Sequence, residues 1–240
     1  MSKTMEETTM KKLTALLAAA MLMMGMATAA NALSIYMSSG TDEYTFSDNG
    51  PGDLSSDPGF MLINQAVGNF MFNSQFGLSN GPGSDLALLD LNSGNTSVNG
   101  TGQLLLAITD TNYSLAFPAL SPNAIAIHGI GGTTKGVVSW ELYADSSNAE
   151  FGLGTLLGSG SADGRNLPGN AFSSSLSQIL DLNSPFSLTQ IITIDHFAHF
   201  DTSTFNTQLE VVPTPEPGTI LLLGGGLLGL GIYGRRRAKK

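Results

Sequence analysis

Along most of the chain, hydrophobic and polar residues alternate with a period of two, in short runs separated by turn formers. Such alternation sends successive side chains to opposite faces of a strand. Alternating or β-rich runs cover residues 33–37, 43–46, 60–63, 69–76, 86–91, 103–109, 124–130, 136–144, 188–194 and 204–212. Between them stand clusters such as Asp48-Asn49-Gly50-Pro51-Gly52 and Ser79-Asn80-Gly81-Pro82-Gly83. Residues of these types accept positive φ or preset φ for a turn. Many short strands with hardly any helical periodicity predict one all-β domain over residues 33–212, an antiparallel β-sandwich of jelly-roll or immunoglobulin-like type. Residues 172–180 are the exception, expected to form a short helical turn. No period of about 20–50 residues recurs, so a solenoid is not expected.

The alternation stops at both ends. Met10-Lys11-Lys12 precedes an apolar run from Leu13 to Met24, which gives way to small residues ending Ala30-Asn31-Ala32. A basic start, an apolar stretch and an A-x-A site at Ala30 and Ala32 are the parts of a secretory signal peptide, so residues 1–32 read as one. Glu6 and Glu7 dilute the basic start, and Met10 is expected to be the true first residue.

At the other end, Pro213-Thr214-Pro215-Glu216-Pro217-Gly218 leads into an apolar, Gly- and Leu-rich stretch from Thr219 to Gly234, followed by Arg235-Arg236-Arg237-Ala238-Lys239-Lys240. The apolar stretch has about sixteen residues against the ~20 that cross a bilayer comfortably, and small residues are tolerated in such helices. Prolines before it hold an extended peptide. The basic end fixes direction, because positive charge stays on the cytoplasmic side. One C-terminal transmembrane helix with its body outside the inner membrane is expected.

Pro215-Glu216-Pro217, the short Gly/Leu helix and the Arg-rich end resemble the PEP-CTERM sorting tail of Gram-negative bacteria. In that family an integral-membrane exosortase, a cysteine protease, recognises and removes the tail, and its substrates are surface or exopolysaccharide-associated proteins. The body, in Leu89-Asp90-Leu91-Asn92-Ser93, Thr109-Asp110-Thr111-Asn112-Tyr113 and residues 187–194, is similar to a recurrent ectodomain of such proteins. That second resemblance implies a compartment and no chemistry.

Charge follows the same division. Of the 10 basic residues, all but Lys135 and Arg165 lie in the two end segments, whereas of the 19 acidic ones only Glu6, Glu7 and Glu216 do. So acidic a middle excludes nucleic acid and anionic lipid as partners. It fits a body that repels its copies or gathers cations. The chain has 0 cysteines, which excludes disulfides, thiol catalysis and a lipoprotein anchor.

Candidate chemistry is sparse. Gly129-Ile130-Gly131-Gly132-Thr133-Thr134-Lys135 is glycine-rich without the spacing of a phosphate loop and reads as strand–turn–strand. There is no G-x-S-x-G elbow, and a serine triad has only His128, His196 and His199 to draw on. In Asp195-His196-Phe197-Ala198-His199-Phe200-Asp201, a helix would bring both histidines to one face as for a metal. The strand predicted over residues 188–194 instead sends them to opposite faces, so polar turn residues are expected and no metal site is assigned. The acidic turn from Asp48 to Asp57 could hold calcium through carboxylate and carbonyl oxygens, as could Asp110 and Asn112 near Asp145, though neither has EF-hand spacing. Tyr36, Tyr44, Tyr113, Trp140 and Tyr143 are the aromatics that could stack on sugars, with Trp140 mid-strand as a core anchor. The sequons at Asn95, Asn99 and Asn112 carry no weight in a bacterial setting.

The expectation is an exported surface or extracellular-matrix protein without enzymatic activity, processed by exosortase and associated with exopolysaccharide. A carbohydrate- or calcium-binding adhesion module is the alternative, and a secreted hydrolase a further one. No catalytic residue and no cofactor is assigned beyond a possible structural calcium.

Overall fold

The computed structural model describes residues 33–80, 84, 86–116, 122–214, 223–228 and 230. Twelve strands run through them: β1 Ser34–Ser39, β2 Asp42–Ser47, β3 Phe60–Leu62, β4 Phe70–Ser79, β5 Ala87–Ser97, β6 Gly102–Tyr113, β7 Ala124–Thr134, β8 Val137–Asp145, β9 Thr155–Asp163, β10 Ala171–Leu180, β11 Phe186–His196 and β12 Thr202–Pro213. They form two six-stranded sheets, in the orders β2-β1-β6-β11-β8-β9 and β10-β7-β12-β5-β4-β3, with every pairing antiparallel.

From β5 onward the chain passes back and forth between the sheets, giving the quartets β6-β11-β8-β9 and β5-β12-β7-β10. This is the double Greek key of an eight-stranded jelly roll. The hairpins β1–β2 and β3–β4 extend it, one beside β6 and the other beside β5. Of the two sandwich types expected, the connectivity selects the jelly roll.

The alternation that marks the strands in the sequence is the alternation of burial. β8 reads half-buried and buried in strict turn, placing Val138, Trp140, Leu142 and Ala144 inside. β5 likewise sends Ala87, Leu89 and Leu91 inward. The interior between the sheets is filled by these residues with Ile35, Met37, Leu106, Ile108, Ile192, Phe205 and Leu209, among others. Gly132, in the glycine-rich run of β7, lies so close to the Thr204 carbonyl of β12 that a Cβ there would collide with it. Those glycines serve strand contact: the run is strand through Thr134, and the turn falls at Lys135 and Gly136.

Two strands differ from expectation. Residues 155–163 show no strong apolar alternation, yet form β9, pairing with β8 through its small residues Gly158 and Gly160. Residues 172–180 are not a helical turn but β10. Phe172, Leu176, Ile179 and Leu180 have helical spacing, but pairing with β7 over the whole length prevails, leaving Ile179 outward and 61% exposed. Beyond β12, residues 223–228 are helical. Among the described residues no helix is long and apolar enough to cross a membrane. The expected signal peptide, with Ala30 and Ala32, and the sorting residues Pro215, Glu216, Pro217, Arg235, Arg236 and Arg237 lie outside the described residues.

Candidate functional site

The strand directions give the sandwich two ends. One gathers the β2–β3, β4–β5, β6–β7, β8–β9 and β10–β11 connections, and here the chain enters at Leu33 and leaves after Pro213. The other gathers the remaining turns, with Lys135 and Arg165 in the β7–β8 and β9–β10 connections.

At the first end two carboxylates are taken out of water. Asp48, just beyond β2, is 4% exposed, and Asp110, on the inner face of β6, is 2% exposed. The Gly59 N–H donates to Asp48 Oδ2 at 3.0 Å, while Asp48 Oδ1 has no hydrogen-bond partner. Gly59 returns the connection through its carbonyl, which accepts the Ser79 N–H at 2.8 Å. The Ser79 hydroxyl is hydrogen-bonded to the Asp110 carboxylate and lies 2.7 Å from the Tyr113 hydroxyl. Tyr113 in turn donates to the Leu88 carbonyl at 2.7 Å, and the Thr111 N–H donates to Asp110 Oδ1 at 2.7 Å. Burial pushes the Asp110 carboxyl up to about 6, against the pull of the Ser79 hydrogen bond, and the nearby charge of Asp48 pushes the same way. Tyr113 is raised well above its ordinary range, first by burial and then by the Asp110 charge.

Asp110 and Tyr113 are three apart on one strand, a spacing that alone would send them to opposite faces. They meet because Asn112 takes φ 65° and β11 shifts register between Phe186 and Leu188, opposite this point. An extra residue of this kind re-aims the side chain after it.

A second polar group crosses the core. His128 Nε2 of β7 lies 2.8 Å from the Thr207 hydroxyl, which donates to Gln190 Oε1 at 2.8 Å, and Gln190 Nε2 donates to the Leu89 carbonyl of the facing sheet at 2.7 Å. Burial lowers His128 to about 4. Its Nδ1 has no hydrogen-bond partner, and the same holds for the side-chain polar atoms of Gln75, Ser93 and Asn95 on the inner faces of β4 and β5. Buried polar atoms of this kind are ordinarily met by enclosed water.

The sequence candidates fall into place one by one. His196 ends β11, buried, 2.8 Å from the Ser203 hydroxyl, whereas His199 stands in the β11–β12 loop, 2.6 Å from the Val98 carbonyl. They do not converge, and Asp201 is engaged by the N–H groups of Phe197 and Ala198. In the acidic turn, Asp53 accepts from the N–H groups of Asn49, Ser55 and Leu62. Its carboxylate closes the loop on itself. Asp145 does the same for Ser147, and Asn112 pairs with Asn148. Among the described residues no group of three or more His, Cys, Asp or Glu could hold a metal ion.

Of the aromatics, Tyr36, Tyr113 and Trp140 are buried, Trp140 stacking on Phe172. Tyr143 is half-buried and donates to Glu141 at 2.9 Å. Tyr44 is exposed beside Phe46. Asn95 of the first sequon is 1% exposed.

What the sequence reading missed is the convergence of Asp48, Ser79 and Asp110. Asp48 and Asp110 were each visible within an oxygen-rich turn, but the two turns lie far apart in the chain. Only the pairing of β1 with β2 and β6, and of β3 with β4, brings them to one place.

A family model, the PEP-CTERM protein-sorting motif, matches residues 213–237. No curated protein matches the chain in sequence. Solved structures similar in fold include TmCBM61, in complex with β-1,4-galactotriose, at 7% identity and TM-score 0.32, covering 55% of this chain and 85% of that one. The mannan-recognising carbohydrate-binding module TmCBM27 is similar at 13% identity and TM-score 0.28, covering 63% and 97%. A cyclase from Fischerella sp. TAU is similar at 13% identity and TM-score 0.32, covering 66% and 87%.

Proposed function

We propose that this chain, which carries a PEP-CTERM sorting motif, is an exported extracellular-matrix protein with no enzymatic role. It is held in the inner membrane by its C-terminal segment, cut by exosortase near Pro215-Glu216-Pro217, and left associated with exopolysaccharide. A PEP-CTERM motif implies an exported protein sorted by exosortase. The observation that carries the reading is where the motif begins: at residue 213, the last residue of β12. β12 lies between β7 and β5 in the middle of its sheet, so a cut any earlier would open the sandwich. Among the described residues the last hydrogen bond to the body is at Thr214, whose N–H donates to the Asn123 carbonyl at 2.9 Å. Removal of the segment beyond Thr214 leaves every strand in place, and an acidic body with little positive charge is released without affinity for the anionic membrane it leaves.

The test is the intact mass of the protein from the extracellular polymer fraction, with and without exosortase. A species that begins at Leu33 and lacks residues 219–240 only when the enzyme is present is the expected result. A chain that keeps Arg235–Lys240 in both strains, and stays with the inner membrane, would sink the proposal.

A further inference from the structure

The end of the sandwich that holds Asp48 and Asp110 has no basic side chain among the described residues. Lys135 and Arg165 are both in connections of the opposite end. Asp53, Asp57, Asp145, Glu150 and Asp181 stand in or beside the connections of the same end as Asp48, so the local potential is negative throughout. For the exposed members of this group, water and backbone N–H groups screen the charge. Asp48 and Asp110 are cut off from water, being 4% and 2% exposed, and each has few donors: the Gly59 N–H for Asp48, the Thr111 N–H and the Ser79 hydroxyl for Asp110. A buried carboxylate needs donors or a counter-ion. Asp48 Oδ1 has neither.

The surroundings are made of oxygen. Beside Asp110 stand the Ser79 hydroxyl, the Tyr113 hydroxyl and the Leu88 carbonyl, and Asp48 is tied to the same place through Gly59, which takes the Asp48 carboxylate on its N–H and the Ser79 N–H on its carbonyl. Hard divalent cations select such sets, and calcium tolerates the irregular geometry that strand ends provide. We propose that Asp48 and Asp110 bind a calcium ion through their carboxylates, with Ser79 Oγ as a neutral ligand and water completing the shell. The ion ties the end of β2 and the end of β4 to β6. It thereby fastens the two added hairpins to the jelly roll at the end where the chain enters and leaves. The site is independent of the sorting proposal: it concerns the folded body whether or not the tail is cut.

The experiment is thermal unfolding of the full-length protein in chelator, in calcium and in magnesium, for wild type, Asp48→Asn and Asp110→Asn. With calcium about 100-fold above its Kd, the wild-type Tm is expected to rise by roughly 5–10 °C, with a smaller response to magnesium. Both variants are expected to melt in chelator at or above the wild-type temperature, since each removes a carboxylate charge that burial disfavours, and to lose the calcium response. That pairing separates a ligand from a merely structural residue, whose loss would lower the chelator Tm. A wild-type Tm indifferent to calcium overturns the proposal, as does a calcium shift that both variants retain. Terbium gives a readout on wild type alone. Emission excited through Tyr113 and displaced by calcium is expected, and its absence also counts against the site.

Discussion

Phe205→Ala is expected to remove about 3–5 kcal/mol of folding free energy. Phe205 is 1% exposed and lies in β12 between Ser93 of β5 and Gly132 of β7. Truncation leaves a cavity that cannot collapse, because the neighbours on both sides are fixed by ladder hydrogen bonds, and because Gly132, whose absent Cβ lets β12 come close, has no side chain with which to fill it. Since a domain of this kind is stable by only about 5–15 kcal/mol, the loss takes about a fifth or more of the total. Ile179→Ala is the control: Ile179 is 61% exposed on β10, and its truncation is expected within about 0.5 kcal/mol of wild type. Urea unfolding of both variants checks the contrast. Equal midpoints would mean that the interior between the sheets is not packed as described.

The reason the strand pattern was legible lies in strands such as β8, where every second residue is core and each of those is apolar. Period-two burial then shows directly as period-two hydrophobicity. β9 and β10 hid for complementary reasons. β9 presents Gly158 and Gly160 to its neighbours, because a Cβ at either would run into Leu176 or Trp140, so beyond the buried Leu157 and the small Ala162 its inward positions carry little apolar signal. β10 carries serines on alternate positions and an exposed Ile179 that completes a helical spacing. In both, long-range pairing decides, and pairing is not a local property of sequence. The jelly-roll connectivity lies a step further away, since it rests on which strands cross between sheets.

The sorting motif was legible because its signal is linear, a matter of order and charge within a few dozen residues, and the family model at residues 213–237 agrees with that reading. The acidic site was not, because it is assembled from Asp48 just beyond β2, Ser79 at the end of β4 and Asp110 in β6, three parts of the chain far apart in sequence. The sequence pointed instead to compact clusters. Those proved to be the ones that satisfy themselves, such as Asp53 with the N–H groups of Asn49, Ser55 and Leu62. Local acidic turns are rich in backbone donors, so their carboxylates are already occupied. Among the described residues, the buried carboxylate oxygen left without a donor belongs to Asp48, where the chain is enclosed by other strands.

In chelator, the acid response of this fold should be the near-cancellation of two opposed sets of buried groups, histidines held neutral on one side and carboxylates raised by burial on the other, exposed by substituting one residue at a time. His128 is lowered from 6.5 to about 4 by burial, so the fold holds it neutral. Its contribution is complete above pH 6.5 and is lost as pH falls from there through about 4, because the unfolded chain takes up a proton that the folded one refuses. The full effect is about 3 kcal/mol. His196, also lowered by burial, acts in the same direction. Asp110 runs the other way. Raised from 3.8 to about 6, it is most favourable below pH 3.8 and loses that contribution as pH rises through 6, again by about 3 kcal/mol. Wild type should therefore vary little between pH 4 and 6.5. His128→Gln, which keeps a polar group toward Thr207, should gain stability on acidification across that window. Asp110→Asn should lose it. The measurement is the urea midpoint against pH with the slope of the transition held in view, so that a change in the unfolded state is not mistaken for a change in the fold. Profiles that stay parallel for all three proteins would show that neither group is held away from water as its burial implies.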